Sequence, residues 1–167
     1  MKDAKFVLEF STHVLANGTG PNGERDHFQR DSHKKLIFQQ SWFYSAFSRA
    51  IEMTGIRGLK AGDINMDLAV NAETEIYKRR YGDNRFRTHE AIMPGTQVTF
   101  VAVVADHITQ SALQNILERM GSFVGLSPYG YRLGYGKFNV VSVEIAPSDS
   151  ETHNDTETSE PDDQQKG

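Results

Sequence analysis

Apolar residues fall into two rhythms along this chain, and the order of those rhythms limits the folds open to it. "KFVLEFSTHVL" (Lys5–Leu15) sets Phe6, Leu8, Phe10, Thr12 and Val14 on one side at period two, the pattern of a strand with one buried face. "DINMDLAV" (Asp63–Val70) alternates Ile64, Met66, Leu68 and Val70 in the same way. "GTQVTFVAVVA" (Gly95–Ala105) is almost continuously apolar, as a central strand would be. "KFNVVSVEI" (Lys137–Ile145) ends the series. Two stretches carry the helical period instead. "SWFYSAFSRAIEMTG" puts Phe43, Phe47, Ala50 and Ile51 on one face, with Ser41 placed as cap and Gly55 as terminator. "TQSALQNILERMGSF" (Thr109–Phe123) does the same with Leu113, Ile116, Leu117 and Met120, and Thr109 can cap it.

The resulting order is β-α-β-β-α-β. It predicts an α+β fold of the ferredoxin-like or RRM-like kind, an antiparallel sheet with both helices on one face. One domain is expected over residues 1–146, with "KLIF" (Lys35–Phe38) as a short extended piece and long loops at 16–35 and 71–95. From Pro147 the chain reads "PSDSETHNDTETSEPDDQQKG", with seven of the 22 acids, one lysine and no aliphatic or aromatic residue. Such a segment cannot offset its ordering entropy by burial, so 147–167 is expected to be a disordered acidic tail. The net charge of −4 therefore misdescribes the body, which holds 15 acids against 17 basic residues. The absence of cysteine excludes disulfides, thiolate metal sites and cysteine nucleophiles. No apolar run approaches the roughly 20 residues of a membrane helix, and "MKDAKFVLEF" lacks the pattern of a secretory signal. The expected compartment is the cytoplasm.

Two stretches could carry chemistry. In "SPYGYRLGYGKFNV" (Ser127–Val140), Gly130, Gly134 and Gly136 permit positive φ and close backbone approach. Free amides in such a turn would form a concavity for phosphate. Arg132 and Lys137 add charge, and Tyr129, Tyr131 and Tyr135 offer faces for bases. A tight turn with a β-bulge fits the spacing as well. "YKRRYGDNRFRTH" (Tyr77–His89) interleaves Lys78, Arg79, Arg80, Arg85 and Arg87 with three aromatics. That is the composition of a single-strand contact surface, and equally of a solvated hairpin whose aromatics pack on the body. His27 and His33 lie near Asp26 and Asp31 without a zinc spacing, so no metal site is expected there, and His13, His89 and His107 show no constellation. Nucleophile-elbow, Walker A and HExxH motifs are absent. "GYRLGYG" precedes a strand, so it is no dinucleotide fingerprint.

Three stretches in order resemble the repeat-associated (RAMP) superfamily of CRISPR systems, nearest to the crRNA-binding backbone subunit of type III effector complexes. "RDHFQRDSHKKLIFQQSWFYSAFSRAI" (Arg25–Ile51) has the family's acidic loop, arginine–aspartate, short apolar stretch and helix-opening turn. "MPGTQVTFVAVV" (Met93–Val104) matches a proline–glycine–threonine entry into the third strand, and Leu113–Glu144 matches a helix followed by a glycine–tyrosine–glycine segment and a strand. The chain departs from the family where a glycine-serine-serine-lysine-glycine type turn usually opens the first helix. Here the turn is "QQSWFYSAF", which puts Trp42 and Tyr44 at that point, and "SPYG" lengthens the glycine-rich segment. The chain is also short for such a subunit, as a divergent, virus-encoded or accessory relative would be.

The resemblance implies single-stranded RNA as ligand and favours Arg132, Gly134, Tyr135, Gly136 and Lys137 of the glycine-rich segment as contacts; the composition of the basic-aromatic stretch adds Lys78, Arg79, Arg80, Arg85 and Arg87. It also implies assembly with copies of the chain and with other subunits of an effector complex. Asp26 matches the loop aspartate that supports metal-dependent RNA cleavage in the family, where Mg²⁺ would be the cofactor. A loop aspartate is equally a turn former, and otherwise no cofactor is expected. Three functions remain open: an RNA-binding, self-assembling subunit; a metal-dependent endoribonuclease; and a protein-interaction factor that mimics such a subunit.

Overall fold

A computed structural model describes residues 1–147 of the protein. In chain order the strands are β1 (Lys2–Phe10), β2 (Val14–Leu15), β3 (Gly18–Thr19), β4 (Arg25–His27), β5 (Gln29–Arg30), β6 (Leu36–Ile37), β7 (Ile64–Asp67), β8 (Ala69–Val70), β9 (Glu75–Gly82), β10 (Arg85–Ile92), β11 (Gln97–Val104) and β12 (Phe138–Ile145). Helix α1 (Gln40–Thr54) precedes β7, α2 (Gln110–Arg119) follows β11, and a short α3 (Gly130–Leu133) precedes β12. The fold is mixed, with every strand pair antiparallel and the strands divided among four sheets.

The largest sheet has the order β12-β1-β11-β7. Its alternation follows from the period-two apolar rows. Ala4, Phe6, Leu8 and Phe10 of β1 are buried, as are Val98, Phe100, Ala102 and Val104 of β11. They join Phe43 and Phe47 of α1 and Leu113, Ile116 and Leu117 of α2 in one apolar cluster. Phe100 sits at its middle, 5.7 Å from the ring of Phe6 and 5.4 Å from that of Phe38. The expected central strand is β11, which lies between β1 and β7. Its outer face is open, with Val101 51% exposed, because helices cover only one face of this sheet.

Local signals were met unevenly. Thr109 caps α2, its hydroxyl accepting the Ala112 amide at 3.1 Å, and Gly55 ends α1 in the left-handed region at φ 69°. Ser41 is not the cap of α1. The helix begins at Gln40 behind Gln39, with no side-chain cap. The first strand does not run to Leu15. It stops at Phe10, and Val14–Leu15 pairs instead with β10. The second strand likewise splits after Asp67, so that Ala69–Val70 pairs with β6.

The long loop expected at 71–95 is mostly paired backbone, and the one at 16–35 carries three short strands between irregular stretches. β3 pairs with β4, β5 with β6, and β9 with β10 as a hairpin of two eight-residue strands closed by Asp83–Asn84. Period-two burial is weak in these strands, since their side chains are mostly polar, and that hid them from an apolar-pattern reading. The acidic stretch from Ser148 onward lies outside the described residues.

Candidate nucleic-acid interface

The basic-aromatic stretch folds as the β9–β10 hairpin, and its register sorts the charges. Arg79 stands opposite Arg87, and Tyr77 opposite His89, on one face; Lys78 stands opposite Thr88, and Arg80 opposite Phe86, on the other. The five basic residues therefore do not line one surface. Lys78 lies 4.4 Å over the Phe86 ring and Arg80 donates to the Gly82 carbonyl, both on the outward face. Arg85 pairs with Gly82 at the tip, where the register shifts.

The inward face meets the glycine-rich segment. The Arg79 guanidinium lies 4.5 Å over the Tyr129 ring and 5.7 Å from Tyr81. Its Nε donates to His89 Nε2 at 3.2 Å. His89 is buried and its Nδ1 lies 2.7 Å from the Ala16 carbonyl. With Nε2 accepting, Nδ1 must carry the hydrogen, so the ring is the neutral tautomer. Burial pushes its pKa below the ordinary histidine value, with the Ala16 contact acting in the opposite sense. Tyr77 lies tilted against His13 with ring centroids 4.1 Å apart and meets Tyr135 edge-on at 6.1 Å. Burial and the neighbouring Tyr77 hydroxyl raise the Tyr135 pKa. His13 and His89, which show no constellation in sequence, thus belong to the cluster. The two-residue turn after Gly82, between strands alternating Tyr77-Arg79-Tyr81 and Arg85-Arg87-His89, was the available signal.

The glycine-rich segment is neither an open anion cradle nor a simple bulge. Residues Gly130–Leu133 form one helical turn, after which Gly134 (φ 81°) and Gly136 (φ 75°) are left-handed. The amides that would cradle phosphate are already used: Gly130 donates to Ser127 O, Gly134 to Gly130 O, and Gly136 to His13 O at 2.7 Å. Lys137 donates through its backbone to Thr12 Oγ1 at 2.9 Å. Gly136 and Lys137 therefore dock the segment on the kink at Ser11–His13. Arg132 is exposed on α3 and shares a surface hollow with Tyr129 and Tyr131. A separate groove of about 350 Å³ runs between α1 and this segment, lined by Asn17, Gln39, Ser45, Arg49, Ser127 and Tyr131. Arg49 lies 4.0 Å over the Tyr131 ring there. Trp42 packs inward against Phe28 and Phe38, and Tyr44 receives the Met66 amide on its hydroxyl at 3.1 Å.

Two arginine–carboxylate pairs fasten the hairpin to the 16–37 excursion. Glu90 takes the Phe28 amide at 2.8 Å, the Thr74 hydroxyl at 2.7 Å and the Arg30 guanidinium. Arg87 donates from Nε and Nη2 to the two oxygens of Asp26, at 2.6 and 2.9 Å. That pairing raises the Arg87 pKa above its ordinary value. Asp26 itself is buried and left-handed at φ 57°. Among the described residues no group of three His, Asp or Glu side chains is assembled as a metal-ligand set.

No protein-family model matches the chain, and no curated protein matches it. Among the described residues, no helix is long and apolar enough to cross a membrane. Likeness is found in solved structures. A chain of the type III-B Cmr-beta complex bound to cognate target RNA, determined by cryo-electron microscopy, resembles it over 86% of this protein with a TM-score of 0.54. Identity is 13%, and the protein spans 60% of that chain's length. At this identity the likeness is one of fold.

Proposed function

We propose that the protein is a single-stranded RNA-binding subunit of a CRISPR-type ribonucleoprotein, built as one RRM-like domain of the repeat-associated superfamily. The strand order last-first-third-second, with a helix after the first and third of these strands, is the reason for reading the large sheet as ferredoxin-like. The RNA path we assign is the junction of the hairpin and the glycine-rich segment. The observation that carries it is Arg79 stacked on Tyr129 beside Tyr77, Tyr135 and Arg87. Arginine and tyrosine faces in one cleft suit bases and phosphates together.

The open face of the large sheet supports this choice by contrast. RRM modules stack bases on sheet aromatics. Here that face presents Asp3, Glu9, Asp67 and Glu144 against Lys5, with Val101 and Val141 between them. An acidic, aliphatic surface repels phosphate and offers no ring, so the strand runs elsewhere. Arg132, Gly134, Gly136 and Lys137 shape the path through the backbone they fix, and Lys78, Arg80 and Arg85 extend charge around the hairpin tip. Neighbouring subunits, including copies of this chain, are the partners in this reading.

Fluorescence anisotropy with a labelled oligouridylate tests it. Arg79→Ala on an intact fold is expected to weaken binding by about 1–3 kcal/mol, the range for a lost stacking contact, and Arg80→Ala on the outward face by less. Absence of binding by the parent at low salt ends the reading.

A further inference from the structure

We propose that Asp26 is an internal stand-in for a phosphate, holding Arg87 until an RNA phosphate displaces it and so setting how many phosphates the hairpin engages. This rests on the RNA-binding reading above and assigns Asp26 a regulatory place in it, with no catalytic one.

The pair is asymmetric. The Asp26 side chain is 7% exposed, whereas that of Arg87 is 51% exposed. The arginine reaches in from solvent to an anion that the fold presents. Its two parallel N–H bonds to two coplanar oxygens are the geometry that guanidinium also uses on phosphate. The presentation is built. β3 and β4 pair Gly18 with His27 and Thr19 with Arg25, leaving Asp26 as the extra residue of a bulge. Bulges re-aim a side chain, and here the re-aimed residue is an aspartate at φ 57°, where glycine is the unstrained choice. A solvent-open groove lies directly over the pair, lined by Arg25, Phe86, Arg87 and Thr88. A phosphate entering it meets Arg25 as a second cation. A metal is a poorer occupant, because the guanidinium already fills the position a cation would take on both carboxylate oxygens.

Asp26→Asn keeps the shape and removes the competing charge. The log–log salt slope for oligouridylate binding is expected to steepen by about 0.7, the value of one added phosphate on a single strand, and affinity at low salt to rise roughly threefold. The double variant Asp26→Asn/Arg87→Ala is expected to lose both gains. An unchanged slope in a variant that melts like the parent overturns the proposal in favour of a purely structural pair. Loss of Mg²⁺-dependent RNA cleavage at unchanged affinity overturns it in favour of catalysis.

If Asp26→Asn does not fold, the parent chain labelled with ¹⁵N-arginine serves. Its Arg87 Nε–H signal, assigned by its loss in Arg87→Lys, is expected to shift on titration with inorganic phosphate and with oligouridylate. A signal unmoved by saturating amounts of either anion overturns the proposal. A signal moved by phosphate in a chain that binds no oligouridylate supports the Asp26 exchange and refutes the RNA reading.

Discussion

In the large sheet, alternate side chains of β1 and β11 are buried against α1 and α2, and among the described residues no ion pair joins two of its strands. The β9–β10 hairpin is the reverse. Most of its side chains are exposed, and its base is held by Glu90 with Arg30, Asp26 with Arg87, and a histidine wedged under Arg79. Apolar burial is insensitive to salt and to pH near neutrality, while ion pairs and a neutral imidazole respond to both. The sheet is therefore a platform of fixed stability. The hairpin is an attachment whose hold on the body depends on the charges around it.

The contrast is broken most severely from the platform side. Phe100→Ala removes a fully buried ring from between Phe6 and Phe38 and is expected to cost about 3–5 kcal/mol. The loss, read from urea denaturation at several salt concentrations, should be global and nearly independent of salt. Glu90→Ala attacks the attachment instead. It leaves Arg30, the Thr74 hydroxyl and the Phe28 amide without their shared acceptor, at a cost of roughly 3 kcal/mol for a broken, largely buried pair. Hydrogen exchange should place that loss at β10 and the 28–30 backbone before the large sheet. Uniform loss of protection in both regions would show that hairpin and platform unfold as one unit.

The two left-handed glycines at the junction separate strain from crowding. Alanine at either accepts an unfavourable φ, at about 1 kcal/mol. At Gly134 the added Cβ meets nothing within 4 Å, whereas at Gly136 it lies 2.7 Å from Leu126 backbone. Gly136→Ala should therefore lose a further 1–3 kcal/mol for overpacking, and thermal melts of the two variants give the difference directly. Equal losses would mean that the segment shifts freely on the Ser11–His13 kink and does not fix the interface.

The platform was legible because its signals are apolar and local. Phe6-Leu8-Phe10, Phe43-Phe47, Leu113-Ile116-Leu117 and the Thr109 cap each announce their element within a few residues. The candidate interface was legible only as composition. Nothing in "YKRRYGDNRFRTH" says that Arg79 and Lys78 turn to opposite sides until the register with Arg87 and Thr88 is known. Asp26 was legible as an unusual loop acid, but its partner lies 61 positions away, and long-range pairing of polar groups leaves no periodicity. The same holds for His89, whose carbonyl partner at Ala16 is 73 positions distant. The glycines announced a special backbone without saying that its amides would be spent on the body.

The smallest expected effect is also the one that reads the attachment most directly. His89 donates from Nδ1 to Ala16 and accepts from Arg79 at Nε2, so a second proton would set two donors against each other. Burial is the main cause of its lowered pKa; Arg79 and Arg87 act in the same sense, and Ala16 and Asp26 oppose them. The pKa of His13, packed against Tyr77, is lowered by burial as well. Above the ordinary histidine value of about 6.5 both folded and unfolded chains carry neutral rings, and stability is full. As pH falls through that value, the unfolded chain takes up protons that the folded chain refuses, so stability declines until the lower folded pKa is reached. The slope is at most about 1.4 kcal/mol per pH unit for each ring. Urea midpoints between about pH 7.5 and 5.5 should fall accordingly, with protection of β10 amides lost ahead of those in β1 and β11. His89→Gln should flatten the larger part of the decline and His13→Gln the remainder. A profile that is flat in the parent, or that survives both substitutions, would mean that the hairpin is not held through neutral imidazoles and that Arg79 is positioned by Tyr129 alone.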